Sequence, residues 1–209
     1  MIRYQPSLVE KPARNGGVES FHTSEARWRM LLEINNAIIT NLTEGDLLHA
    51  ICEALQRVLP VSRAALTLYQ PEKDTLRILA LSPHWSSDYF RVGAEMQRTE
   101  SHSGWVFDHQ RPLLRHDLGV EARYPIERRL LEEGVLSFCV VPLLLGGKPL
   151  GTLNIGSENR NQYSEADAEL LQEVASQVAL AIGNMKAYEE IGALKRKVER
   201  TAERYRILL

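Results

Sequence analysis

The chain has 209 residues, enough for one domain with extensions, and its 44% apolar and 25% charged residues describe a folded core with a polar surface. A net charge of −2 argues against holding nucleic acid by bulk charge, and no apolar run reaches the about 18 residues of a membrane span. The two cysteines, Cys52 and Cys139, sit in apolar-periodic segments with no signal peptide ahead of them. They read as reduced and buried, and the expected compartment is the cytoplasm, with no membrane and no direct nucleic-acid contact by this segment.

In chain order, residues 1–22 lack any period and carry Pro6, Pro12, Gly16 and Gly17, so they read as a flexible lead. Residues 24–41 are helical, with Trp28, Leu31, Leu32, Asn35, Ile38 and Ile39 on one face. Thr43 and Asp46 have capping-box spacing and open a second helix that ends before Pro60. Residues 61–69 and 75–81 are strands joined by a turn at 71–74, an antiparallel hairpin. A loop with His84 and Trp85 follows, and residues 89–98 are partly strand-like. Residues 100–110 turn from loop to short helix near Ser103, 112–116 form a short strand, and the second half of 117–133 is a short helix.

The most organised stretch is 134–183. An apolar, β-branched run over 136–145 meets Gly146-Gly147, which supplies the positive φ angles of a tight hairpin turn, and 149–155 is the return strand. Ser164 with Asp167 has capping-box spacing again and opens a long helix whose apolar face is Leu170, Leu171, Val174, Val178, Ala181 and Ile182. Strands in runs with helices gathered at the ends indicate an α+β fold with an antiparallel sheet.

The last helix runs on. Ile191, Leu194, Val198, Thr201, Tyr205 and Leu208 alternate three and four apart, the seam of a parallel two-stranded coiled coil and hence of a homodimer through terminal helices. SEARWRMLL (24–32) is echoed by TAERYRILL (201–209), which suggests a second copy of the domain in the natural protein. The expected organisation is a lead over 1–22, a domain over 23–188 and a signalling helix over 189–209.

With these elements placed, the chain resembles a GAF domain, the small-molecule sensor module of phosphodiesterases, adenylyl cyclases, phytochromes and bacterial transcription activators. The resemblance rests on Val140-Val141-Pro142-Leu143, Gly151-Thr152-Leu153-Asn154-Ile155, Tyr163-Ser164-Glu165-Ala166-Asp167 and the helix LLQEVASQVALAIGNM, with Gly104-Trp105-Val106 and Gln110-Arg111-Pro112-Leu113 earlier. LLEINNAIITNL and SHSGWVFDHQRPLL look most similar to sensor regions of enhancer-dependent activators of the formate-hydrogenlyase regulator type. The family's cyclic-nucleotide signature is only partly present: Asn159-Arg160, Tyr163 and Asp167-Ala168 stand where it has Asn-Lys, Phe and Asp-Glu. Arg160 and Asp167 could equally form an ion pair bracing the loop. Neither cysteine precedes a histidine, so no covalent bilin or other covalent cofactor is expected, and two cysteines ill suit the sulfoxide-reducing members.

The resemblance implies a sheet with the first and last helices on one face and a ligand pocket on the other, roofed by short helices. Because a cavity needs small linings and polar hooks, the sets Ala65 and Thr67, Ser137 and Cys139, and Thr152 and Asn154 are expected to face it. In the roof, His102 and Ser103 begin a helix whose free N–H groups favour an anion, Arg115 could grip a carboxylate or phosphate, and Trp85, Tyr89 and Trp105 could close a lid, with Asp117 nearby. The combination points to a small metabolite, an anion among the candidates. Two other readings are a ligand-free dimerisation scaffold and a non-haem metal or gas sensor built on His102, His116, Asp117 and Cys139. Without HExxH, a Walker loop, GxSxG or paired cysteines, no enzyme is expected.

Overall fold

The computed structural model describes residues 61–82 and 87–207, together with Leu32, Ala50, Ile51 and Glu53; for residue 189 and residues 201–207 it gives backbone alone. The helices expected over 24–41 and 43–58, and the loop residues His84 and Trp85, lie outside the described residues, isolated positions aside.

Among the described residues six strands form one antiparallel sheet: β1 Arg63–Gln70, β2 Thr75–Leu81, β3 Glu95–Gln97, β4 Leu113–Arg115, β5 Ser137–Leu145 and β6 Lys148–Ser157. Their order is β3-β2-β1-β6-β5-β4, so the last strand returns to the middle and joins the two halves of the chain through the β1–β6 pairing. Both edges are three-residue strands, which leaves little unpaired backbone there. Among the elements described along their length, four helices accompany the sheet: α1 His102–His109, α2 Leu118–Glu121, α3 Pro125–Glu132 and the 43-residue α4 Glu165–Ile207. The α+β fold read from the element order is the one observed.

The local signals act as their chemistry requires. Gly146 and Gly147 take φ of +57° and +77° at the β5–β6 turn. Ser164 Oγ accepts from Asp167 N while Asp167 Oδ2 accepts from Ser164 N, a complete capping box opening α4.

Alternation then gives the sheet two different faces. Leu66 and Leu68 of β1, Cys139, Val141 and Leu143 of β5, and Leu153 of β6 meet Leu171, Val174, Val178 and Ile182 of α4 in one sealed apolar core. Ile51 is fully buried in the same core. The other face carries Ala65, Ile78, Phe138 and Val140 and lies under α1 and α3.

One feature of β5–β6 reverses an expectation. A plain two-residue hairpin would set Cys139 opposite Asn154 and put both on one face. The pairing instead shifts between Leu143 and Leu144, where Leu150 is the extra residue, and Val140 stands opposite Asn154. A one-residue slip moves every side chain of a strand to the other face. Cys139 therefore belongs to the core against α4, and Phe138 and Val140 take the face expected of Ser137 and Cys139.

Candidate functional site

The second face holds a cavity of about 40 Å³ between the sheet and its roof. Its floor is Ala65, Thr67, Phe138, Val140 and Asn154; His102 and Ser103 come from α1 and Leu130 from α3, with Arg63, Phe90 and Met96 at the margins.

The start of α1 is brought onto the sheet by close backbone packing. Ser101 caps the helix by accepting from Gly104 N. A Cβ on Gly104 would lie 1.6 Å from the carbonyl oxygen of Arg98, so only glycine lets α1 rest on the 3-10 turn Arg98–Glu100. That turn is itself tied down, since Arg98 donates to Asp74 and to Asp108, each at 2.6 Å. Ser103 then reaches the floor, where its hydroxyl donates to Asn154 Oδ1 at 2.9 Å. Asn154 Nδ2 donates to Ala65 O and to Thr152 Oγ1, and the Thr152 and Thr67 hydroxyls share a bond of 2.8 Å. A polar line thus crosses an otherwise apolar floor.

Behind His102 lies a buried ionic group. Glu127 is fully buried at the third position of α3 and accepts from Arg115 Nε at 3.3 Å and from the backbone N–H groups of Arg123 and Tyr124. The His102 ring packs against Phe138 at 4.7 Å between centroids. Its Nδ1 is buried without a hydrogen-bond partner, 4.0 Å from Glu127 Oε1. Burial, and then the Arg115 cation, push the imidazole down to about 3. The Glu127 carboxylate does not reverse this because it is already committed to three donors. His102 is therefore neutral at physiological pH, a polar group available at the cavity wall.

Of the residues singled out in the sequence, Ala65, Thr67, His102, Ser103 and Asn154 come together at the cavity, with Thr152 bonded behind them. The others are placed elsewhere. Arg115 is turned to Glu127 and is absent from the lining. Asp117 caps α2 through Gly119 N and pairs with Arg160 at 2.9 Å, so Arg160 braces its loop against Asp117 and leaves Asp167 to α4. The Ser137 hydroxyl donates to Asn159 O. Trp105 stacks on His109 at 4.3 Å, and the exposed Tyr89 ring lies under the Arg129 guanidinium at 3.9 Å. Trp85 is outside the described residues. Among the described residues no three His, Cys, Asp or Glu side chains converge as metal ligands; His116 is exposed, and Cys139 lies on the other face.

Sequence reasoning passed over Arg63, Phe138, Val140, Leu130 and Glu127. The first four carry no local signal beyond alternation or helical period. Glu127 did carry one: Pro125 at a helix start with an acid two residues on marks a group that reaches back to accept from the N-cap N–H.

A family model described as GAF domain matches residues 41–183. The formate hydrogenlyase transcriptional activator of Salmonella typhimurium (strain SL1344) is 24% identical over 176 residues, covering 82% of this chain and 25% of that protein. The chain thus spans about a quarter of that curated relative. Among solved structures, the GAF domain of an Acinetobacter phosphoenolpyruvate-protein phosphotransferase superposes with a TM-score of 0.68 at 18% identity, covering 80% of this chain and 99% of that one. Free methionine-R-sulfoxide reductase from Neisseria meningitidis, in complex with its substrate, gives 0.67 at 16% identity, covering 79% and 95%.

Proposed function

The chain belongs to the GAF domain family, and on that premise we propose that it is a non-catalytic, small-molecule-sensing module of a bacterial signalling protein or transcriptional regulator, with α4 as its output. The observation that carries the reading is the cavity itself: an apolar floor crossed by a few hydrogen-bonding groups, Ser103, Asn154 and Thr67, beside a neutral buried His102. Binding sites of this kind are mainly apolar with a small number of orienting polar groups. With Arg115 engaged by Glu127, the ligand is held by neutral donors and acceptors; Arg63 at the margin, itself paired with Glu133, is the one cation among the described lining residues.

The cavity's size bears on mechanism. About 40 Å³ holds about three waters, far less than the ~300 Å³ of a typical small-molecule site. A metabolite therefore binds a state in which α1 and α3 stand further from the sheet, and it breaks or replaces the Ser103–Asn154 bond. It shifts the population toward that state because it binds that state better. Asn154 lies on β6, paired with β5, and β5 packs directly on α4, which gives the roof a contiguous route to the terminal helix.

The small cavity also favours a second reading, a scaffold whose pocket is filled by its own side chains. A catalytic role has less support: Cys139 is buried against α4, and burial pushes its thiol well above the ordinary range, so it is a poor nucleophile. Native mass spectrometry of the purified chain, with a metabolite thermal-shift panel on the parent and on Ala65→Leu, separates the readings. A co-purifying molecule, or a midpoint rise of about 5 °C that the cavity-filled and still folded variant lacks, supports sensing. An empty protein with no shift across the panel supports the scaffold.

A further inference from the structure

α4 carries two apolar stripes. Leu171, Val174, Val178 and Ile182 lock its first half onto the sheet. A second stripe runs along the outer side: Leu180, Asn184, Ala187, Ile191, Leu194 and Val198, spaced alternately four and three, all exposed. Leu180, Ile191, Leu194 and Val198 are 50%, 61%, 57% and 67% exposed. The sequence extends the same spacing through Thr201, Tyr205 and Leu208. The helix beyond Ile182 reaches about 37 Å, and past Met185 no core residue packs on it among the described residues.

We propose that a second copy of this chain covers the outer stripe as a parallel, in-register coiled coil, beginning inside the domain at Leu180, with Asn184 fixing the register. The choice of occupant rests on three features. First, Asn184, Ile191 and Val198 fall at a positions and Leu180, Ala187 and Leu194 at d, and a single polar residue at a, usually Asn, specifies register and two strands at some expense in stability. Second, the flanking charges suit a parallel copy. Glu190 at g lies where it meets the partner's Lys195 at e, an attraction repeated on both sides of the seam. Third, they do not suit an antiparallel copy, which centred on the same stretch, Leu180 to Val198, would set Glu190 against the partner's Glu190 and Asn184 against the partner's Leu194. Because the seam starts at Leu180, it lies back to back with Val178 and Ile182, so the dimer contact and the sheet contact share one turn of helix. The inference stands whether or not the cavity takes a ligand.

The test is sedimentation velocity of the full chain at tens of micromolar, with energy transfer between donor and acceptor dyes placed at the C-termini of mixed copies. The expected result is a dimer with efficient transfer. Leu194→Asp with Val198→Asp, both on exposed positions and hence harmless to the domain, should weaken association by about 100-fold or more while the far-ultraviolet spectrum is kept. Asn184→Val should yield a mixture of oligomers or registers, seen as heterogeneous sedimentation or transfer. A monomeric parent, a dimer untouched by the double substitution, or a dimer with negligible transfer would each overturn the proposal. A homogeneous Asn184→Val dimer with unchanged transfer would overturn the role given to Asn184.

Discussion

Leu66 and Thr67 are neighbours on β1, both shut off from solvent, yet they face environments of opposite character. On the Leu66 side the sheet and α4 close with apolar groups almost throughout, and the buried thiol of Cys139 behaves as one of them. On the Thr67 side the roof brings hydroxyls, an amide, a histidine and an Arg–Glu pair into the interior and leaves space unfilled. Buried polar groups contribute little net stability when matched and cost much when one partner is lost. The α4 face therefore supplies the folding energy, while the roofed face holds groups whose arrangement can respond to what enters.

Five substitutions, the first two reciprocal, can break or sharpen this contrast. The largest effect is expected for Glu127→Ala, which strands the buried Arg115 and removes an acceptor from the first turn of α3; it should cost about 4 kcal/mol in urea unfolding. A loss under about 1 kcal/mol would mean that water reaches Arg115 and that the roof is not an interior. The reciprocal Arg115→Ala should likewise destabilise the fold, unlike the ligand-contact residue that its position in the sequence suggested. On the sealed face, Leu171→Ala should cost about 3 kcal/mol through the cavity it leaves, by the same amount at pH 5 and pH 7, since no ionisable partner is involved.

The third effect concerns pH. His102 has its folded value depressed to about 3 from an ordinary 6.5, so between these the unfolded chain binds the proton and the folded one does not. Its contribution is complete above pH 6.5 and is lost as the pH falls toward 3, by up to about 1.4 kcal/mol per unit. His102→Gln should flatten that part of the profile, and an unchanged slope would remove His102 as its origin. The smallest effect tests the sealed face for a flaw. The Tyr163 hydroxyl is buried there without a partner, so Tyr163→Phe should raise stability by about 1 kcal/mol; a loss of that size would reveal a hydrogen bond to water.

The chain by itself determined its local geometry. Gly146-Gly147 dictates the hairpin turn, and Ser164 with Asp167 dictates where α4 begins, because turns and caps are settled among residues two to four apart. The strand order along the chain and the resemblance to GAF domains were legible for the same reason: each motif is a run of neighbours. Tertiary structure decided which face each residue of β5 presents and which charge meets which. The bulge at Leu150 moves Cys139 away from the cavity, and no pattern within β5 announces it, since both faces of that strand are apolar. Arg115 had two unassigned carboxylates to choose between, Asp117 beside it and Glu127 a helix away, and took Glu127 because the start of α3 brings that carboxylate within 3.3 Å of its Nε. Register and ion pairing depend on contacts summed over distant segments, so they become definite only when those segments meet.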